Sequence, residues 1–234
     1  MKKILVPTDF SDYALNALKL AAKIAEKSNA TIYLFHIINI PSYETGILPF
    51  QSEESLPEGM HIIKHVKQKF KDLIASDFLS KVRVIEAVQF GGYFESIASQ
   101  AEKAGIDLIV MGTHGTSGFV KDTFVGNVTD KVVRNSNIPV ITLRNEVTTP
   151  IFPNIVFASD FEDIDAIPFQ KISAFLEAFD AKLHLLRVAT IGDFITHREA
   201  NEKMENFVKK NNVSNYSLNV FNASQVQVGI NEFA

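Results

Sequence analysis

The chain has 234 residues, 46% of them apolar and 21% charged, which is the composition of an ordinary globular protein with room for one large or two small domains. A net charge of −4 lacks the basic footprint of a general nucleic-acid binder, and the absence of cysteine excludes disulfide scaffolds, thiolate metal sites and cysteine nucleophiles. The apolar run Ile4-Leu5-Val6 behind Met1-Lys-Lys stops at Pro7 and Asp9, too short for a secretory leader, and no stretch reaches the ~18 apolar residues of a membrane span. A cytoplasmic protein with no membrane or nucleic-acid partner is expected.

Apolar patterning predicts alternating strands and helices. A strand over 3–7 leads to a helix over 12–27 with Leu15, Leu18, Ala22 and Ala25 on its buried face. Ser11 and Asp12 are suited to capping that helix. A strand over 31–38 is followed by a loop carrying Pro41, Pro49, Pro57 and Gly59. A helix over 60–74 turns Ile63, Val66, Phe70 and Leu73 inward, before a strand over 82–88 and a helix over 94–103. The run Leu108 to Met111 reads as a buried strand, a helix begins near Gly126, and a fifth strand covers 139–143. The pattern predicts an α/β fold: an open, twisted, parallel five-stranded sheet with helices on both faces. Ligands of such sheets gather at the carboxyl ends of the strands, near the point where strand order reverses. Pro7-Thr8-Asp9 and Gly112-Thr-His-Gly115 both fall at strand ends.

Residues 107–134 carry the strongest functional signal. A strand breaks into Gly112-Thr-His-Gly115, and a later glycine, Gly126, precedes Asn127, Val128 and Thr129 at a helix start. Glycines let backbone N–H groups approach an anion, and the helix N-terminus adds a favourable dipole, so the arrangement suits a phosphate. It is neither a GxGxxG fingerprint nor a Walker loop.

The chain also repeats itself. Ile4-Leu-Val-Pro-Thr-Asp-Phe-Ser-Asp12 matches Ile155-Val-Phe-Ala-Ser-Asp-Phe-Glu-Asp163, with Ile4 and Ile155 setting an offset of 151. The same offset aligns Ala30-Thr-Ile-Tyr-Leu-Phe-His-Ile with Ala181-Lys-Leu-His-Leu-Leu-Arg-Val. Thr148-Thr-Pro150 and Pro153 mark a boundary. Beyond it the pattern predicts a strand over 155–158, a helix over 166–179, a strand over 182–188, a helix over 199–210 and a strand over 216–221. Ala234 then aligns with Ala101, in the middle of the third helix of the first unit. The second unit therefore lacks a fourth strand, a glycine loop and a fifth strand; a truncated chain is one reading and a natural half-module the other.

These residues resemble the universal stress protein family, and the layout resembles its two-module members. The signals are Pro7-Thr8-Asp9, His36-Ile37-Ile38 and the glycine run, where the family's nucleotide-binding members carry Gly-x2-Gly-x9-Gly-Ser/Thr. Here ten residues, 116–125, separate Gly115 from Gly126, and Asn127 stands where Ser or Thr is usual. The resemblance implies a nucleotide-binding module at 1–147 and an incomplete, degenerate module of the same type at 148–234. It implies ATP as ligand, with Pro7, Thr8 and Asp9 at the end of the first strand and Asp9 toward the ribose or a phosphate-bound Mg²⁺. Backbone groups near Ile37 would meet the adenine edge. Gly112 and Gly115 would approach the phosphates, with Met111 and His114 among the binding residues, and Gly126, Asn127, Val128 and Thr129 would hold them. Lys121 could add a mobile charge. The family further implies a sensor or regulator with at most slow hydrolysis, and a homodimer or intramolecular pseudo-dimer paired through 138–143.

Other readings stand beside these. Asp9 recurs as Asp160, so it is either a ligand group or a turn former at the head of a helix, and for Asp160 the structural reading dominates. His114 either contacts phosphate or faces solvent. His61 and His65 have metal-ligand spacing but no third ligand, and read as a polar helix face. No Ser-His-Asp order or paired carboxylates demand an enzyme, and an adenylating ligase of similar fold would carry its phosphate loop near the first strand. A second function class is an interaction protein that keeps the fold and binds no nucleotide.

Overall fold

The computed structural model describes residues 1–38, 56–113, 127–147, 152–163, 169–193 and 195–234, in two compact units, Met1–Pro150 and Ile151–Ala234. In the first, β1 (Lys3–Pro7) lies at the centre of a five-stranded sheet because Ile4, Leu5 and Val6 have no polar partner to offer solvent; all three are completely buried. It pairs in parallel with β2 (Thr31–Ile38) and with β4 (Leu108–Gly112). β3 (Val84–Phe90) and β5 (Val140–Leu143) complete the order β3-β2-β1-β4-β5, all parallel. This is the predicted five-stranded α/β architecture.

Alternation along the strands sorts the two faces. Leu5, Phe35, Ile37, Ile109 and Met111 pack with Ile97 and Ala101 of α3 (Tyr93–Ala104) and Val132 of α4 (Asn127–Asn135). The alternate residues Ile4, Val6, Ile32, Leu34 and Val110 are fully buried on the other face. There α1 (Asp12–Ser28) buries Ala14, Ala17, Leu18, Ala21, Ala22, Ile24 and Ala25. Leu15, expected on that face, is only half-buried, since the small alanines bring the helix close enough to cover the sheet without it. Ser11 caps α1 by accepting from the Ala14 N–H, whereas Asp12 is its first residue and acts on the dipole instead.

Local chemistry explains where the elements differ from the periodicity. α2 (Leu56–Ile74) begins earlier than 60 because Pro57 is tolerated in a first turn, where its missing N–H has no intrahelical partner to lose. Among its described side chains Val66 and Phe70 are buried, with Ile63 and Leu73 half-buried. The third strand starts at Val84 rather than 82, because Val82 closes onto a short 3-10 turn, Asp77–Leu79, through its N–H to the Leu79 carbonyl at 3.0 Å.

The second unit pairs β6 (Asn154–Ala158), β7 (Lys182–Ala189) and β8 (Tyr216–Asn222) in parallel, in the order β6-β7-β8. α5 (Gln170–Phe179), α6 (His197–Asn211) and α7 (Val226–Phe233) are its helices. The predicted start of α5 at 166 lies outside the described residues. α6 begins two residues before the expected 199, because Thr196 and Glu199 form a reciprocal capping box. Phe161, Phe169 and Phe207 build the core with Leu183, Leu185, Met204 and Val208. α7 follows β8 as α3 follows β3, and Gly229 keeps it close: a Cβ there would stand 2.6 Å from the Val188 side chain.

Candidate functional site

The chain runs from β1 to β2 to β3 on one side and then crosses to β4 on the other, so strand order reverses between β1 and β4. The register Leu5↔Ile109 sets Pro7 and Met111 at one level, and Gly112 ends β4 beside them, paired with Leu143. Ile37 and Met111 are buried in a common cluster against which Val128 packs. The Thr129 hydroxyl, 4% exposed, donates to the Gly112 carbonyl at 3.1 Å. This bond ties the first turn of α4 to the end of β4. It also commits the hydroxyl proton, leaving the backbone N–H of Thr129 as its donor at the helix start. The N–H groups of Asn127, Val128 and Thr129 are those that a helix leaves without intrahelical acceptors. His114, Gly115, Lys121 and Gly126 lie outside the described residues.

Gly112 has a packing reason to be glycine. A Cβ there would lie 2.9 Å from the backbone carbonyl and Cβ of Tyr13, so any side chain would push away the first turn of α1. The close approach expected of this glycine is, on that side, made by the protein itself.

Leaving β1, the chain turns through a compact hydrogen-bonded knot. Thr8, buried, donates its N–H to the Phe35 carbonyl at 2.8 Å, and its hydroxyl accepts from the Phe10 N–H at 3.0 Å. Asp9 Oδ1 accepts from the Ser11 N–H at 3.0 Å and from the Ser11 hydroxyl at 2.5 Å. Phe10 sits between them at φ 63°, a left-handed conformation that costs a non-glycine residue energy and survives here because both flanking side chains clamp it. Asp9 is therefore a turn former, whatever else it contacts.

His36 locks this turn to β2. Its Nδ1 lies 2.7 Å from the Thr8 carbonyl, which can only accept, so Nδ1 carries the proton and Nε2 is bare in the neutral ring. The ring meets Phe10 at 4.7 Å and Phe70 at 6.4 Å between centroids, and Lys69 Nζ stands 5.0 Å from the Phe10 ring. Burial holds the imidazole below its ordinary pKa; the Thr8 bond and Asp9 oppose that, and Lys69 adds to it. The neutral form is favoured.

The second unit reproduces the turn. Ser159 Oγ accepts from the Phe161 N–H at 3.1 Å, Asp160 Oδ1 accepts from the Glu162 N–H at 3.1 Å, and Phe161 has φ 57°. The ring pair recurs as well: Phe10–Phe70 at 5.5 Å and 68°, Phe161–Phe207 at 5.5 Å and 70°. Periodicity alone gave no signal for the left-handed phenylalanines, although the repeated Asp-Phe dipeptide was in view. At the position of His36 stands Arg187, 8% exposed.

His61 and His65 are exposed on α2, a polar face as read. Among the described residues, no group of three or more His, Asp or Glu is placed to hold a metal, and no helix is long and apolar enough to cross a membrane.

Comparison with known proteins identifies the fold and the family. Universal stress protein MJ0531 of Methanocaldococcus jannaschii is 32% identical over 150 residues, covering 61% of this chain and 82% of that protein. The solved structure of hypothetical protein MJ0577, from the same organism, superposes with a TM-score of 0.51 at 28% identity, over 63% of this chain and 98% of that one. A universal stress protein from Archaeoglobus fulgidus matches 97% of this chain and 80% of its own, with a TM-score of 0.65; at 19% identity that likeness speaks for the fold alone. The sequence profile of the universal stress protein family matches residues 1–144, more than half of the chain. Fold and sequence agree, and the chain belongs to the universal stress protein family.

Proposed function

We propose that this stress protein binds ATP at the carboxyl end of its first sheet and acts as a nucleotide-dependent sensor or regulator rather than as a dedicated enzyme. The observation that carries the reading is the Thr129–Gly112 bond, which holds a helix N-terminus against the end of β4 at the reversal of strand order. The α4 amides of Asn127, Val128 and Thr129 receive the phosphates, together with His114, Gly115 and Gly126 from the segment between β4 and α4. Pro7, Thr8 and Asp9 form the wall beside them, Asp9 facing the ribose or Mg²⁺, and Ile37 and Met111 supply the floor under the base and the first phosphate. The unit at 148–234 is a degenerate module of the same type, and self-association runs through residues 138–143, where β5 has β4 as its strand partner among the described residues.

Titration calorimetry with Mg-ATP on the parent and a Gly115→Val variant tests the site. Saturable heat in the parent, lost in the variant, is the expected result. No heat at millimolar ATP in the parent would overturn it and favour the interaction protein of the same fold, in which the lengthened loop no longer cradles phosphate.

A further inference from the structure

The second unit buries an arginine that its core does not require. Arg187 lies near the carboxyl end of β7 and is 8% exposed. Its Nη1 donates to the Val188 carbonyl at 2.7 Å, which fixes the guanidinium. Nη2 reaches Asp193 Oδ1 only at 3.4 Å, and Nε has no partner. The Nε–Nη2 edge of a guanidinium presents two parallel N–H groups that match an oxyanion. Here that edge holds a single long contact. A buried charge so incompletely matched costs folding energy, and an aliphatic residue would pack the strand without the cost.

A cavity of about 310 Å³ beside the guanidinium is lined by Arg187 and Lys203, by the carboxylates of Glu162, Asp193 and Glu199, and by Gly192 and Ile195. It sits at the carboxyl ends of β6 and β7, beside the N-terminus of α6, the end of a parallel sheet where ligands collect. The three carboxylates already have partners. Glu162 accepts from Lys203 at 2.6 Å, Glu199 from the Thr196 backbone and hydroxyl at 2.9 Å, and Asp193 from the Thr190 backbone and hydroxyl at 3.0 Å.

We propose that this cavity binds a phosphoryl oxyanion, whether inorganic phosphate or a phosphomonoester. The Arg187 Nε–Nη2 edge takes two of its oxygens in place of Asp193, and Lys203 takes another in place of Glu162. A planar guanidinium edge and a separate ammonium on another element suit a tetrahedral anion better than a flat carboxylate, which the edge alone would satisfy. Nε is shut off from solvent, so binding lifts the turn over 190–193. That turn has room: among the described residues nothing beyond the chain neighbours of Gly192 lies within 4 Å of a Cβ built there, and Ile191 is 91% exposed.

The test uses the full chain. The side-chain Nε–H resonance of Arg187, identified by its loss in Arg187→Lys, is followed while inorganic phosphate, glycerol phosphate and acetate are titrated at matched ionic strength. The expected result is a saturable shift with phosphate and none with acetate, a tighter response to the ester marking a phosphomonoester as the ligand. Asp193→Asn removes the competing carboxylate and tightens phosphate binding by about fivefold; Lys203→Met weakens it by about tenfold. A resonance unmoved by phosphate in both the parent and Asp193→Asn, or moved equally by acetate, overturns the proposal. If Arg187→Lys does not fold, the Asp193→Asn and Lys203→Met affinities, read by calorimetry, decide it.

Discussion

Two turns, one at the end of β1 and one at the end of β6, share a backbone and differ in what surrounds them. Both hold a left-handed phenylalanine between a hydroxyl acceptor and an aspartate, and both set that ring edge-on against a phenylalanine of the second helix beyond. Among the described residues, only the first has a glycine-ended strand and the start of a further helix beside it. Only the second has a buried arginine in place of the histidine. The common part is architecture, required by strand-to-helix geometry in either unit. Ligand chemistry is to be sought in the parts that differ. Asp9 therefore cannot be taken as a ligand group merely because it sits at the strand end, since Asp160 does the same work without a glycine loop.

The largest effects should come from breaking the shared aromatic framework. Phe207→Ala removes a ring that stacks on Phe157 at 5.4 Å and meets Phe161 and Phe169 edge-on, and should cost about 3–5 kcal/mol in the second unit. Phe70→Ala should cost a similar amount in the first. Calorimetric unfolding that resolves the two transitions checks whether each loss stays within its own unit. Gly112→Ala tests a feature of the first unit alone: a methyl 2.9 Å from the Tyr13 backbone should destabilise by about 1–3 kcal/mol. An unchanged midpoint would mean that α1 retreats at no cost and that packing does not explain the glycine.

A sharper comparison replaces each aspartate. Asp9→Ala and Asp160→Ala should each cost about 1 kcal/mol through loss of the turn bonds. Asp9→Asn and Asp160→Asn should nearly restore stability, because an amide oxygen still accepts. Only Asp9→Asn should then weaken Mg-ATP binding; equal affinity in the parent and both asparagine variants would leave Asp9 a turn former alone. The smallest effect concerns pH. His36 has a depressed pKa in the fold, so the unfolded chain binds the proton more readily. Its contribution is present above the unfolded imidazole pKa and is lost as pH falls through the lower folded value. Stability of the first unit should therefore decline on acidification below neutrality, and His36→Asn should flatten that slope in denaturant titrations.

Much of the fold was legible because buried parallel strands announce themselves as apolar runs: Ile4 to Val6 and Leu108 to Met111 needed no tertiary information. Boundaries slipped where a local bond outranked periodicity, as with the capping box at Thr196 and the Val82 contact that delays β3. The candidate site was legible as a set of strand ends and a helix start. Three of its features were not. The left-handed state of Phe10 depends on Thr8 and Asp9 clamping it together, the need for glycine at 112 comes from Tyr13 far away in sequence, and the Thr129 hydroxyl turns inward to Gly112. Each is a long-range or cooperative contact that one-dimensional spacing does not encode. Arg187 was visible only as one letter in a repeat, since its burial is a property of the packed sheet.

The most direct test of the account is a backbone amide titration of the intact chain with Mg-ATP. The account predicts saturable shifts at Thr8, Asp9, Gly112, Thr113 and the first turn of α4, with the matching turn at Asp160 silent. Shifts confined to the second unit, or none at saturating nucleotide, would contradict it.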